Sequence, residues 1–140
     1  MLQIVAVTKK DARVNETNPH KKVRNDHTYE LIEDYLEEVL LLGGEARVTD
    51  LSRHLGVSHV TVIKTVRRIE KLGYLETSPY KSIILTPKGK ILAKKAQARH
   101  DLVVAFLSKI GVSRKTAEID AEGIEHHVSD ETLKAFKRLL

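Results

Sequence analysis

Residues 48–73 read VTDLSRHLGVSHVTVIKTVRRIEKLG, and their spacing decides the fold. Leu51 and Leu55 stand one helical turn apart, Gly56 permits a sharp turn, and Val57 plugs the corner. Thr49 is the expected cap of this short helix. Ser58 is the expected cap of the next, which turns Val62, Ile63, Val66, Ile69 and Leu72 inward until Gly73 stops it. Tyr74–Thr77, the turn Ser78–Ser82, and Ile83–Thr86 then read as strand, turn, strand. Helix, turn, helix, hairpin is the order of a winged helix-turn-helix. The outer face of its second helix carries Ser58, His59, Thr61, Lys64, Thr65, Arg68 and Lys71. Hydroxyl, imidazole and basic groups on one face suit the base edges and phosphates of double-stranded DNA. Lys81, at the hairpin tip beside Tyr80, is placed to reach the DNA backbone or minor groove.

Upstream, Leu31, Ile32, Tyr35, Leu36, Val39, Leu40 and Leu42 recur at spacings of three and four, predicting a helix from near Asp26–Thr28 to Gly43-Gly44. Residues 1–27 carry no sustained period and read as a mobile, partly basic arm. Downstream, a long helix is expected from about Lys88 to Ile110, with Ile91, Leu92, Ala96, Leu102, Val103, Phe106 and Leu107 on its apolar side. Gly111 ends it, Ser113 caps a short helix, and Ser129 caps the last. The fold class is therefore mainly α. A winged helix-turn-helix of three helices and a hairpin wing (28–90) precedes an α-helical unit (91–140).

Charge divides the same way. The chain has 140 residues with a formal net charge of +5, but Arg47–Lys90 holds nine basic residues against three acidic ones. Leu31–Ala46 holds five acids and no base. A basic block between acidic flanks points to a polyanion reader whose neighbours do something else. There is no Cys, which excludes disulfides, iron–sulfur centres, thiolate zinc sites and a Cys nucleophile. No stretch approaches the roughly 20 apolar residues of a membrane span. The opening MLQIVAVTKK has the wrong order and length for a secretory signal, so a cytoplasmic protein with no membrane partner is expected.

Any metal must then be held by His, Asp and Glu. The run Asp120-Ala121-Glu122-Gly123-Ile124-Glu125-His126-His127 stands out. On a helix, Glu122, Glu125 and His126 share one face, and His127 points away from it. Like charges three apart cost stability unless a cation neutralises them. Asp34 and Glu37 form a similar pair in the first helix, and His100 lies within Arg99-His100-Asp101. Taken singly, each of the carboxylates reads as a solvated surface group and each His as a structural one.

The winged helix-turn-helix, the Arg99-His100-Asp101 step and the Glu-Gly-Ile-Glu-His-His run together resemble the diphtheria-toxin-repressor family over residues 28–140. Within it they are most similar to the branch of manganese transport regulators. That resemblance implies a dimeric, manganese(II)-activated transcriptional repressor on a palindromic operator, with no enzymatic activity. It also implies two ions per subunit, held by Asp34, Glu37, His100, Glu122, Glu125 and His126. Iron-responsive relatives place Met and Cys where this chain has Asp34 and Glu125, and all-oxygen and imidazole ligation suits manganese(II). An iron(II)- or zinc-responsive repressor of the same fold is the alternative. A di-metal carboxylate enzyme is a distant third, since such enzymes pair Glu-x-x-His motifs on two helices. The dimer surface is expected from Phe106, Leu107, Ile110, Leu133, Phe136, Leu139 and Leu140.

Overall fold

The computed structural model describes residues 19–140, with side chains described from His27 onward. In chain order it has α1 (Pro19–Leu41), β1 (Glu45–Ala46), α2 (Val48–Leu55), α3 (His59–Lys71), β2 (Leu75–Thr77), β3 (Ile83–Leu85), α4 (Pro87–Lys109), α5 (Arg114–Ile124) and α6 (Asp130–Arg138). No helix among the described residues is long and apolar enough to cross a membrane.

The helix-turn-helix forms where the spacing places it. Gly56 takes the left-handed conformation (φ 67°) that lets α2 turn into α3, and Ser58 Oγ accepts from the Thr61 N–H at 3.2 Å to cap α3. The α2 cap is Arg47 rather than Thr49: the Asp50 carboxylate folds back to accept the Arg47 N–H at 3.2 Å. Tyr35, Leu36 and Val39 of α1 close over Leu51, Val62, Val66, Ile69, Leu75 and Ile83 in one buried core. Ile63, Leu72 and Leu31, expected inside, lie at its rim and are exposed, as is Ile91 on α4. Each continues an apolar spacing but falls at the edge of a stripe too narrow to cover it.

The wing is a three-stranded antiparallel sheet in the order β1-β3-β2. Its third strand, β1, pairs Glu45 with Ile84 and Ala46 with Ile83; two residues are too few to show any period in sequence. Residues 19–27, expected to belong to an arm, are helical: α1 begins at Pro19. Proline suits a first helical turn, and the segment PHKKVRND has one apolar residue besides that proline, so a helix there leaves no periodic trace. The remainder of the arm, residues 1–18, lies outside the described residues.

α4 connects the halves. Thr86 Oγ1 accepts from the Gly89 N–H at 3.0 Å and donates to the Gly73 carbonyl at 2.6 Å, while Lys88 Nζ donates to the Leu72 carbonyl at 2.9 Å. The helix then runs on beside α1 and carries Val103 and Val104 into a second core with Ala117 and Ala121. Phe106 and Phe136 stack face to face with centroids 3.8 Å apart, and Leu107 and Leu133 pack on the second core. Four of the residues expected at a dimer surface therefore serve the chain's own packing, and Ile110, Leu139 and Leu140 stay exposed.

α4 passes close to the wing only because residue 89 has no side chain. A Cβ there would sit 1.9 Å from the Tyr74 carbonyl oxygen. Gly→Ala in a helix ordinarily gains about 1 kcal/mol. Here backbone blocks the methyl, so Gly89→Ala should lose about 1–3 kcal/mol or more, read as a lower urea midpoint at unchanged slope. A raised midpoint would contradict the close crossing.

Candidate metal centre and nucleic-acid interface

Glu125 is fully buried, although it is a carboxylate. α5 ends at Ile124, one residue before it, yet Glu125 caps the helix with right-handed dihedrals (φ −56°, ψ −31°). The helical spacing of Glu122, Glu125 and His126 therefore survives the helix end. From this position Glu125 Oε2 lies 2.7 Å from His100 Nδ1 on α4, and Oε1 lies 3.2 Å from His126 Nε2. His126 Nε2 is also 3.1 Å from Asp34 Oδ1 on α1, and Glu122 Oε1 is 3.7 Å from His100 Nδ1. Ligand atoms of His100, Glu122 and Glu125 all lie within 4.8 Å of one another. His127 points elsewhere and meets Glu30 at 3.4 Å.

Glu37 completes the set by charge. Burial raises its pKa, and the carboxylates of Glu125, Glu122 and Asp34 raise it further, to about 7, against the pull of His126. Glu122 is raised for the same reasons, burial first and Glu125 next. Burial lowers His126, but Asp34, Glu125 and Glu33 outweigh it and push its pKa up to about 12. The cluster thus has a surplus of negative charge that protons partly offset. A cavity of about 170 Å³, lined by Glu37, Leu41, Gln97, His100, Asp101 and Glu122, opens beside it.

Both ring nitrogens of His126, Oε1 of Glu125 and Oε1 of Glu37 are buried without a well-aligned hydrogen-bond partner among the described residues. Tyr35 Oη and Arg99 Nε are likewise unpartnered, but the four carboxylate and imidazole atoms gathered at this place are of types that ligate a metal. The donor set is oxygen and imidazole nitrogen only, which fits a hard divalent cation.

Two residues near the cluster carry no signal of their own in the sequence. Glu33 is buried and bonded to Arg99, and its Oε2 lies 3.4 Å from His126 Nδ1. Burial would raise its carboxyl, but His126 and Arg99 together hold it below the ordinary value. Glu118 accepts from His100 Nε2 at 2.9 Å. Neither sits in a motif. The available hints are that Glu33 precedes Asp34 and that Glu118 lies one turn before Glu122.

On α3, Ser58, His59, Thr61, Lys64 and Arg68 are exposed on the outer face. Thr65 is not: it is 7% exposed, and its Oγ1 donates to the Thr61 carbonyl at 2.8 Å. Position 65 lies three after Val62 and four before Ile69, on the buried stripe, so its side chain faces the core rather than solvent. Arg67, absent from the expected set, is exposed and, with Lys81, lines a groove of about 390 Å³ between α3 and the wing. Lys81 is exposed with φ 63°, a left-handed conformation that costs a non-glycine residue about 1–2 kcal/mol. A lysine kept in a glycine position is consistent with a side chain needed at the wing tip.

Residues 27–83 match the family model of the iron-dependent repressor N-terminal DNA-binding domain. Residues 86–140 match that of the iron-dependent repressor metal-binding and dimerisation domain. The chain is 43% identical over 136 residues to the transcriptional regulator MntR of Salmonella typhimurium, covering 92% of this chain and 87% of that protein. It is 43% identical over 101 residues to the HTH-type transcriptional regulator MntR of Lysinibacillus sphaericus, covering 70% and 73%. Among solved structures it resembles T. acidophilum IdeR with a TM-score of 0.67 at 29% identity, over 76% of this chain and 52% of that one. A structure described as a manganese-dependent transcriptional repressor complex with manganese has the same fold, with a TM-score of 0.69 at 24% identity, over 77% of this chain and 52% of that one. The chain thus spans about half the length of those solved structures.

Crowded carboxylates give a test with opposite signs. A carboxyl held above its ordinary value costs the folded state stability as pH rises from 4.5 to about 7, and the full cost stands above that. Glu37→Gln should therefore stabilise the metal-free protein at pH 8 by about 1 kcal/mol after solvent screening, roughly 4 °C in Tm, and leave it unchanged near pH 4. The same change should shrink the rise in Tm that saturating manganese(II) produces. Calorimetric melts with chelator and with metal check both halves; destabilisation in both conditions would refute the crowding.

Proposed function

The chain belongs to the diphtheria-toxin-repressor family, and we propose that within it the chain is a manganese(II)-activated, DNA-binding transcriptional repressor controlling manganese transport and homeostasis genes. The observation that carries this reading is the meeting of oxygen and imidazole donors at one seam: His100 of α4 and His126 at the end of α5 flank the buried Glu125 carboxylate, and His126 also meets Asp34 of α1. Family members are transcriptional regulators and not enzymes, and the two family models cover a DNA-binding and a metal-binding, dimerising part. Residues 28–90 would read DNA and 91–140 would dimerise and share the metal site with α1.

Two manganese(II) ions per subunit would supply the positive charge that Asp34, Glu37, Glu122 and Glu125 lack. Asp34, Glu37, His100, Glu122, Glu125 and His126 would hold them. His126 must give up its proton to bind, so proton and metal compete for the same place.

Asp34 and Glu37 lie on the helix that leads into the DNA-reading unit, and His100 on the helix that leads out of it. Like charge drives these elements apart from Glu122 and Glu125. Neutralising it draws them together and fixes where each α3 stands in a homodimer. On a palindromic operator the two α3 helices would enter major grooves about 34–36 Å apart. His59, Thr61, Lys64, Arg67 and Arg68, with the Ser58 end of the helix, would face DNA, and Lys81 would approach from the wing. Coupling of this kind is worth about 1–3 kcal/mol and is reciprocal, so operator DNA should tighten metal binding equally.

Zinc(II) would outcompete manganese(II) on affinity alone. An iron(II)- or zinc-responsive repressor is therefore separated from this reading by experiment. Fluorescence anisotropy on fragments bearing divalent-metal-transporter promoters, at one salt concentration, with chelator, manganese(II), anaerobic iron(II) or zinc(II), decides. Tight, specific binding with manganese(II) and none with chelator is expected; equal binding with chelator would sink the metal switch. Glu122→Gln and His100→Ala should abolish the metal dependence with the fold intact. Lys64→Ala and Arg68→Ala should keep metal binding and weaken DNA binding. Each should also lower the salt slope by about 0.9 for every phosphate it no longer neutralises.

A further inference from the structure

Given the metal-binding reading above, we propose that Glu118 is a positioning residue for the site: it holds His100 by Nε2 and so turns Nδ1 toward Glu122 and Glu125. Glu118 belongs to none of the ligand candidates and stands on the far side of the ring from the cluster. Its Oε2 accepts from Nε2 at 2.9 Å, while Nδ1 faces Glu125 at 2.7 Å. Its other oxygen, Oε1, accepts from Arg114 Nε at 3.2 Å and from the terminal guanidinium nitrogen at 3.1 Å, one turn back along α5. One carboxylate is thus fixed at both ends.

An imidazole offers one lone pair when neutral, and the hydrogen bond made by one nitrogen decides which nitrogen offers it. With Nε2–H donated to Glu118, the lone pair lies on Nδ1, where a cation between Glu122 and Glu125 would meet it. Turning the ring over about its Cβ–Cγ bond would put Cδ2–H in that place and would break the bond to Glu118. Glu118 therefore selects both tautomer and ring orientation, and its negative charge makes Nδ1 a better donor. His100 is 15% exposed and Glu118 42%, so the carboxylate does this from the rim, where it adds no crowding to the buried charges.

The surface setting also makes the role separable from folding. An exposed i, i+4 pair such as Arg114–Glu118 contributes little to stability, so losing it leaves the fold intact. Removing a carboxylate behind a ligating histidine typically weakens metal affinity about 10–100-fold.

The experiment uses the full chain, the Glu118→Ala variant and the Glu118→Gln variant. Manganese(II) dissociation constants come from competition with a chelating dye. The protonated nitrogen of His100 comes from long-range proton–nitrogen spectra of the cadmium(II)-loaded proteins. Glu118→Ala is expected to bind manganese(II) about tenfold more weakly, at the low end of that range because the carboxylate is half exposed. Its His100 should lose the uniform Nε2–H signature. Glu118→Gln, whose amide oxygen still accepts from Nε2, should recover most of the affinity and the signature. Equal affinity and an unchanged His100 spectrum in Glu118→Ala would overturn the positioning role alone. A wild-type chain that takes up neither ion would overturn the metal reading and this proposal with it.

Discussion

A buried carboxylate held between two imidazoles is the constraint on which the rest of this structure turns. Glu125 has no exposed surface, and burying an isolated carboxylate costs several kcal/mol. It is tolerated because His100 of α4 approaches one oxygen and His126, the next residue in the chain, approaches the other. His126 in turn binds the end of α5 to Asp34 and Glu33 on α1. Replace Glu125 by an apolar residue of similar size and the packing could persist, while the reason for α1, α4 and α5 to meet at a polar seam would be gone.

The seam is built unevenly, and the unevenness separates what stabilises from what binds. Glu33 is matched by Arg99, a guanidinium with a fixed charge, so this pair holds α1 to α4 whether or not an ion is present. Asp34, Glu37 and Glu122 have no such guanidinium among the described residues. Burial and the neighbouring carboxylates outweigh the pull of the histidines, which is why Glu37 and Glu122 sit above the ordinary carboxylate range. A site optimised for the metal-free fold would have traded one of them for an amide. Keeping all three costs the metal-free state stability, and under the proposed reading a bound cation would return it as free energy for a switch.

Much of this is legible in the sequence where one element carries its own signal. Leu51, Leu55, Gly56, Ser58, Val62 and Val66 specify the helix-turn-helix locally, because side-chain period, turn and cap agree. The Glu122, Glu125 and His126 spacing places three side chains on one face without any knowledge of the partner helices. What stays hidden needs neighbours. β1 is two residues long and exists because β3 has a free edge for it. The start of α1 lacks an apolar stripe, so nothing periodic marks it. Thr65 misleads because a hydroxyl looks polar, although its position is on the buried side and its Oγ1 bonds within its own helix. Glu33 and Glu118 gain their roles only when α1, α4 and α5 are brought together; in sequence each is one acid among many.

The connection between the two ends of the molecule follows from how few elements join them. α1 supplies both Asp34 to the seam and Leu36 and Val39 to the core beneath α3. α4 starts at the wing, pinned by Thr86, Lys88 and the absent side chain of Gly89, and carries His100 several turns later. A helix is stiffer than a loop because each backbone N–H is bonded to the carbonyl four residues back, so α1 and α4 carry a displacement that a loop would absorb. Moving the seam therefore cannot leave the DNA-facing surface where it was unless the core beneath α3 deforms, and a close-packed core resists that. No separate path between the seam and the DNA face is required: α1 and α4 each touch the seam and the DNA-reading unit.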